Sequence, residues 1–140
     1  MADDNKISTD CYIFLLSKAY QKGHHLVQKR LEPLGLTNIQ YIVLEMLWHE
    51  EGLNAVELGK RTNIDKATLS GVLDRMSDAG WINKRRDEGD KRMFRLFPSE
   101  KSIRMKGKFK AEREAANEEL LSGFTSEERV LLRRLLLGLL

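Results

Sequence analysis

Residues 54–97 read NAVELGKRTNIDKATLSGVLDRMSDAGWINKRRDEGDKRMFRLF, and this stretch changes its hydrophobic period halfway along. In the first half, apolar residues recur at steps of three and four, which predicts helices. The second half contains two short runs of mixed apolar and basic residues, WINKRR and KRMFRLF, separated by DEGD. Such runs around a turn-forming segment predict a β-hairpin.

Two short helices are predicted in the first half of this stretch. Asn54 is a favourable N-cap, and Glu57 follows three residues later, as in a capping box. A second start is predicted at Asp65, and Gly80 ends that helix. The connection between the two helices is only about three residues long, which is typical of a helix-turn-helix.

The second helix of this pair has two different faces. At 100° per residue, its apolar side chains share one face, which we expect to be buried: Leu69, Val72, Leu73 and Met76. The opposite face carries small or hydroxyl side chains, an acid and one long cation: Ala67, Thr68, Ser70, Gly71, Asp74 and Arg75. Low bulk lets a helix enter a major groove, and Lys66 is placed for a phosphate or guanine contact. An exposed face of a helical bundle is the alternative.

The hairpin carries six cations around a predicted four-residue tip: Lys84, Arg85, Arg86, Lys91, Arg92 and Arg95. Asp87 and Asp90 can cap the turn and pair with neighbouring arginines, which would hold the tip rigid. Arg92 is expected to enter a minor groove and the other cations to hold phosphates. A solvated charged hairpin is the alternative, but the position directly after a short-turn helix pair favours the wing of a winged helix-turn-helix.

Composition agrees with a polyanion-binding module. Residues 54–97 hold ten Lys/Arg and seven Asp/Glu, so their net charge of +3 equals that of the whole 140-residue chain. No apolar run approaches the ~18 residues of a membrane span. The opening MADDNKISTD does not resemble a signal peptide, and a single cysteine, Cys11, fits a reducing compartment. We therefore expect a soluble cytoplasmic protein.

The flanking segments predict four further helices. A long first helix has an apolar stripe and ends at Pro33 and Gly35; the stripe comprises Ile13, Leu16, Tyr20, Val27, Leu31 and Leu34. The next begins with a Thr37–Gln40 capping box and has a stripe of Ile39, Ile42, Val43, Met46 and Leu47, with Gly52 as its stop. A charged helix follows, from about Glu100 to Ser122, with Ser99 as a possible cap.

The last predicted helix begins at a Thr125–Glu128 capping box and contains RVLLRRLLLGLL. Eight of those twelve residues are apolar, too many for one face of a solitary terminal helix. Pairing with an equally apolar first helix of a second copy would bury them. This pattern predicts a homodimer.

Residues 36–96 resemble the MarR family of bacterial transcriptional regulators. The motifs that carry the resemblance are LTNIQYIVLEML, VELGKRTNIDKATLSGVLDRMSDAGWINKRR and DEGDKRMFRL. The family's Asp-x-Arg wing motif is matched by Asp90 and Arg92. Gly59 departs from the family's usual alanine, and FPSEKS replaces the usual Leu-Thr-x-x-Gly start of the fifth helix.

The resemblance implies a homodimer whose first and last helices interlock, and whose two winged domains read a pseudo-palindromic operator. Members commonly repress transcription until a small, often aromatic, ligand binds between the dimerisation and DNA-binding parts. Thr68, Ser70, Arg75 and Arg92 are carried over as DNA contacts. The implied division is 1–35 (dimerisation), 36–98 (winged helix-turn-helix) and 99–140 (dimerisation).

The sequence thus predicts a mainly α fold with a small β-hairpin wing. The predicted DNA-binding residues are Lys66, Thr68, Ser70, Arg75, Arg85, Arg86, Lys91 and Arg92. We find no phosphate loop, paired buried carboxylates or nucleophile motif, so an enzyme is not expected, nor is a cofactor. The spacing of His24, His25, His49 and Cys11 predicts no metal site.

Two smaller signals concern regulation. His24, Tyr41 and Trp48 are candidates for an effector pocket, although partly buried packing residues would show the same pattern. Some relatives sense organic hydroperoxides through a cysteine in the first helix, but Cys11 is about two positions out of register. A buried, inert thiol is expected instead. A redox-sensing regulator acting through Cys11, and a winged helix used for protein contacts, remain alternatives.

Overall fold

A computed structural model describes residues 9–140. Within this range the chain forms helices α1 (Tyr12–Leu31), α2 (Asn38–His49), α3 (Ala55–Thr62), α4 (Lys66–Asp78), α5 (Glu100–Leu120) and α6 (Ser126–Leu137). Strands β1 (Ile82–Arg86) and β2 (Phe94–Pro98) form an antiparallel hairpin between α4 and α5. The predicted mainly helical fold with a hairpin wing is confirmed.

The helix starts follow from local capping. In α2, α3 and α6 the capping boxes Thr37–Gln40, Asn54–Glu57 and Thr125–Glu128 are all formed. Asp65 and Ser99 each accept a hydrogen bond from the backbone N–H three residues later, and so begin α4 and α5. Helix α1 differs, because Cys11 precedes it without a side-chain cap bond.

The core is formed by α2, α3, α4 and the hairpin, and it extends to the second half of α1 and to α5 through Val27, Leu31, Phe109 and Ala116. The predicted face of α4 is buried in full: Leu69, Val72, Leu73 and Met76. In the stripe predicted for α2, Val43 and Leu47 are buried and Ile39, Ile42 and Met46 are half-buried, while Tyr41 and Leu44, outside the stripe, are buried as well. Helix α2 contacts α1, α3, α4, α5 and β2, so it buries more than one face.

The first helix ends earlier than predicted and is half exposed. A 3₁₀ turn, Glu32–Leu34, follows α1, and Gly35 takes a left-handed φ of 78°. Val27 and Leu31 are buried in the single chain, whereas Ile13 and Tyr20 are 81% and 65% exposed. The expectation of a buried Cys11 thiol is wrong for the single chain: Cys11 is exposed there, as are the neighbouring Tyr12 and Ile13, so no core surface reaches this end of α1.

The hairpin tip is longer than predicted. The last strand pair is Arg86 with Phe94, so residues 87–93 form the connection, and Lys91 and Arg92 belong to it rather than to a strand. The Asp87 N–H donates to the Met93 carbonyl and the Met93 N–H to the Asp90 carbonyl, which closes the wider turn. Leu53, in the α2–α3 turn, bridges to Leu96 and supports the hairpin from its second edge.

Among residues 9–140, no helix combines the length and apolar character that a membrane crossing requires.

Candidate nucleic-acid interface

Three residues, 63–65, connect α3 to α4, as the sequence predicts. Asn63 adopts a left-handed φ of 55°, which turns the chain. Asp65 then accepts hydrogen bonds from the Thr68 N–H at 2.8 Å and the Thr68 hydroxyl at 2.6 Å. These bonds from Thr68, the hydroxyl first, hold the pKa of the Asp65 carboxyl below its usual value. The start of α4 is therefore capped, and the Thr68 side chain has a defined position.

The outer face of α4 is open and low in bulk. Lys66, Thr68, Ser70 and Arg75 are all exposed on it. The Arg75 guanidinium lies back over Gly71, where an added Cβ would stand 3.3 Å from Nη1. A larger residue at this position would displace the guanidinium. Between the two long cations, Lys66 and Arg75, the face presents only small or hydroxyl side chains and Asp74.

An open groove of about 860 Å³ separates this helix pair from the hairpin. Apolar residues from both sides line it, together with polar residues of α4 and the wing: Val56, Gly59, Leu69, Leu73, Met93, Phe94, Lys66, Ser70, Lys84 and Arg92. Lys84 Nζ lies 2.9 Å from Asp74 Oδ1, so an ion pair links β1 to α4. Because Lys66 of α4 and Arg92 of the wing both line this groove, the two cations face a common space.

The wing tip is held by its acidic residues. Asp87 Oδ2 accepts from the Gly89 and Asp90 N–H groups at 3.2 and 3.0 Å, and Asp87 Oδ1 accepts from Arg95 Nε at 2.6 Å. The Arg95 guanidinium, followed by these backbone donors, lowers the pKa of Asp87. Asp90 Oδ1 in turn accepts from the Arg92 N–H at 3.0 Å and from Arg92 Nε at 3.2 Å. Arg92 is fastened at its base, yet its side chain is 92% exposed.

The remaining wing cations do not share one surface. The Arg85 guanidinium lies 4.4 Å from the centre of the Phe97 ring, in a pocket with Lys101 and Arg104 on the face of the hairpin that does not border the groove. Arg86 lies 5.7 Å from the centre of the Phe94 ring, and Lys91 is exposed in the connection. Lys84 and Arg95 are bound to acidic residues of the chain itself. The sequence predicted an arginine partner for Asp87 without identifying Arg95, and it gave no signal for the Lys84–Asp74 pair, which joins two elements that only the tertiary structure brings together.

The three candidate effector residues fall into two groups. His24 Nδ1 lies 3.0 Å from Asn38 Nδ2, whereas Tyr41 and Trp48 form an edge-to-face pair with ring centres 6.0 Å apart. Burial, above all, raises the pKa of Tyr41 to about 12. Arg113 of α5 connects the groups, because it donates to Asn38 Oδ1 at 2.8 Å and lies 4.7 Å from the Tyr41 ring centre. Sequence reasoning missed Asn38 and Arg113, whose separation of 75 positions hides the contact.

Within the described residues, no group of three or more His, Cys, Asp or Glu side chains is arranged to hold a metal ion.

A short-turn helix pair with a hydroxyl-rich outer face and an anchored cationic hairpin defines a winged helix-turn-helix, a class of DNA-binding regulator. The family model described as MarR family matches residues 36–94. The uncharacterized HTH-type transcriptional regulator YybA of Bacillus subtilis is 33% identical over 105 residues, covering 75% of this chain and 70% of that protein. This chain belongs to the MarR family of transcriptional regulators, which are not enzymes, and the predicted resemblance is confirmed.

Two further similarities differ in extent. The HTH-type transcriptional regulator TtmR of Methylorubrum extorquens is 41% identical over 73 residues, which are 52% of this chain but only 37% of that regulator. A mutant MarR from E. coli, solved in complex with operator DNA, superimposes with a TM-score of 0.83 at 26% identity; the match covers 90% of this chain and 91% of that one. The first similarity is confined to part of each chain, whereas the second extends over nearly the whole fold.

Proposed function

We propose that this protein is a homodimeric regulator that binds a pseudo-palindromic operator in duplex DNA sequence-specifically and represses transcription until a small, often aromatic, ligand releases it. The observation that carries the DNA-binding part is that Lys66 and Ser70 of α4 and the exposed Arg92 border the same groove. The similarity to a MarR that was solved with operator DNA supports it.

In this proposal α4 enters the major groove. Lys66, Thr68, Ser70 and Arg75 then face base edges and phosphates, because they occupy the open side of the helix. Arg92 enters the neighbouring minor groove, and Arg86 and Lys91 contact phosphates. Arg85, on the other face of the hairpin, contacts the backbone further from the operator centre. Asp87 and Asp90 shape the wing without touching DNA.

The dimerisation part comprises residues 1–35 and 99–140 in this proposal, and residues 36–98 form the DNA-binding part. Support comes from apolar side chains that the single chain leaves uncovered in α6 and the first half of α1: Ile13, Tyr20, Val130, Leu131, Leu135 and Leu137. A two-fold axis through such an interface is expected to place the two α4 helices about 34 Å apart, one turn of DNA. Pseudo-palindromy of the operator follows from that symmetry.

Ligand release is proposed to act at the junction of α1, α2 and α5. His24, Tyr41 and Trp48 lie there, and Arg113 and Asn38 link α5 to the first turn of α2. A small aromatic ligand that separates these groups would change how the DNA-binding part sits on the dimerisation part. A panel of aromatic acids and phenols, added to a protein–operator complex, tests this point: release by none of them at millimolar concentration would argue against it.

The central experiment is titration of the full chain into fragments of the DNA upstream of its own gene, at two salt concentrations. We expect tight binding to one palindromic fragment, and an affinity that falls by about tenfold or more when the salt concentration is doubled or tripled. The same fragment with one half-site scrambled is the control, and it should bind much more weakly. Equal, weak binding to every fragment would contradict a sequence-specific regulator and would favour a winged helix used for protein contacts.

Redox regulation through Cys11 remains an alternative, and the exposure of the thiol is the observation that favours it. A regulator of this kind would lose operator affinity when treated with an organic hydroperoxide, and a Cys11→Ser variant would not. If only a ligand controls the regulator, hydroperoxide treatment should leave both wild type and Cys11→Ser bound to the operator.

A further inference from the structure

We propose that Arg95 is a positioning residue that fixes the wing and thereby aims Arg92, rather than a cation that contacts phosphate itself. This inference rests on the proposed DNA binding and concerns one residue of the same interface. Its basis is the difference between two wing arginines: one is bound on two sides within the chain, and the other extends into solvent.

The Arg95 guanidinium bridges two separate parts of the structure. Its Nε donates to Asp87 Oδ1 at 2.6 Å, at the base of the wing tip. Its Nη1 donates to the Gly52 carbonyl at 2.8 Å, in the turn between α2 and α3. The Gly52 N–H donates to the Leu96 carbonyl at 2.8 Å, so both backbone groups of Gly52 are bonded to β2. The turn thus forms a fixed support for the wing.

A continuous series of hydrogen bonds leads from this support to Arg92. Asp87 uses one oxygen for Arg95 and the other for the Gly89 and Asp90 N–H groups. Asp90 then holds both the backbone and the side chain of Arg92. The side chains of Asp87 and Arg95 are 18% and 42% exposed, whereas that of Arg92 is 92% exposed. Asp87, in the middle of the series, is therefore its most buried side chain, and Arg92, at the end, is its most exposed.

The two bonds of Arg95 require a guanidinium. Its planar fork presents several N–H groups in fixed directions, so one side chain can hold a carboxylate and a carbonyl at once. A lysine supplies the same charge from a single nitrogen. A phosphate-binding cation would tolerate that exchange far better than a bridging one would, and this difference provides a test.

The first measurement needs no DNA. Amide hydrogen exchange is followed by NMR in wild type, Arg95→Ala and Arg92→Ala. We expect Arg95→Ala to speed exchange of the Gly89 and Asp90 amides by about fivefold or more, because local opening becomes easier. Arg92→Ala should leave both amides unchanged. Unchanged exchange in Arg95→Ala would overturn the positioning role.

The second measurement is a double-mutant cycle on operator affinity. We expect Arg92→Ala and Arg95→Ala each to weaken binding by about tenfold, and the double variant to bind no more weakly than Arg92→Ala. If the loss of operator affinity in the double variant equals the product of the two single losses, Arg95 contacts DNA independently and the inference is overturned. Arg95→Lys should remain about as weak as Arg95→Ala, and full recovery by lysine would equally overturn it. Lys108→Ala removes an exposed cation of α5 and is the charge control.

The two proposals fail in different ways. If the proposed function is wrong, wild-type protein shows no salt-sensitive preference for any fragment. If only the positioning role is wrong, wild type and Arg92→Ala behave as expected, and the contradiction appears in the exchange data or in the cycle. Should Arg95→Ala not fold, Arg95→Lys replaces it in both measurements.

Discussion

Helices α4 and α6 are nearly equal in length, 13 and 12 residues, and both begin at a side-chain cap, but they bury very different fractions of their surface. The apolar face of α4 is buried at all four predicted positions. In α6, none of the residues 126–137 is buried within the described chain, and Val130 and Leu135 are 71% and 52% exposed. Local sequence therefore explains where each helix begins but not whether its apolar face is covered.

The exposed faces of these helices also differ in chemistry. The face that α4 leaves open carries hydroxyls and cations, which water solvates well. The face that α6 leaves open is rich in leucine, and its exposure to water is unfavourable. The apolar face of α4 is therefore covered within one chain, whereas that of α6 is left exposed in the single chain.

Removal of residues 129–140 should have the largest effect. We expect the truncated protein to be monomeric or aggregated at concentrations where the full chain is dimeric, because most of the apolar surface of α6 is lost. Size-exclusion chromatography with light scattering measures the mass directly. A stable, DNA-competent dimer lacking these residues would refute the proposed interface.

Matched leucine truncations in the two helices should be separable by their dependence on protein concentration. Leu73→Ala should lower the free energy of unfolding by about 2–5 kcal/mol at any protein concentration, because the side chain is buried in its own chain. Leu135→Ala should have an effect that diminishes as the protein is concentrated, because mass action restores the dimer. Urea denaturation at two protein concentrations distinguishes these outcomes, and a concentration-independent loss for Leu135→Ala would contradict an interface role.

Arg75→Ala tests the polar face of α4. Operator binding should weaken by about 1–3 kcal/mol, with the thermal unfolding midpoint unchanged, because the guanidinium is exposed and supports no part of the core. Lys108→Ala removes an exposed cation from α5, outside the apolar face of α6, and is the control. Equal losses of affinity in both variants would show that net charge, and not the position of Arg75, is responsible.

Gly59→Ala should give the smallest effect, a stabilisation of about 0.5–1 kcal/mol, since alanine favours a helix interior. The structure has room for the methyl group: an added Cβ lies 3.5 Å from both the Ile64 carbonyl oxygen and Leu69 Cδ2. Gly80→Ala is the contrasting control. Nothing lies within 4 Å of its Cβ position, yet its φ of 78° is strained for alanine, so we expect destabilisation. Thermal or urea unfolding measures the stability of both variants, and a Gly59→Ala variant less stable than wild type would contradict the prediction.

The features that sequence predicted correctly are those whose interactions span a few positions. The caps at Thr37, Asn54, Asp65 and Thr125 accept a hydrogen bond from the amide three residues later. Both partners therefore lie within one short stretch of sequence, where the cap can be recognised. The buried face of α4 follows from the helical period. Both kinds of signal depend on local geometry alone.

The features that sequence could not supply depend on distant partners. The bond from Arg95 to the Gly52 carbonyl joins positions 43 apart, and it engages the guanidinium within the chain. The length of the wing tip depends on strand register, which Leu53 and the Asp87–Met93 bonds help to set. The exposure of Cys11 reflects what packs on the start of α1, and no pattern within that helix reports it.

The uncapped start of α1 has a kinetic consequence. Helix nucleation is costly, and a side-chain cap lowers that cost before any tertiary contact forms. The capped helices of the winged unit can therefore nucleate early, whereas the first turns of α1, with Ile13 and Tyr20 uncovered, gain little until another surface meets them. If that surface is a second copy, the winged unit should fold at a rate independent of protein concentration. The first half of α1 should then acquire its final structure at a rate that increases with concentration.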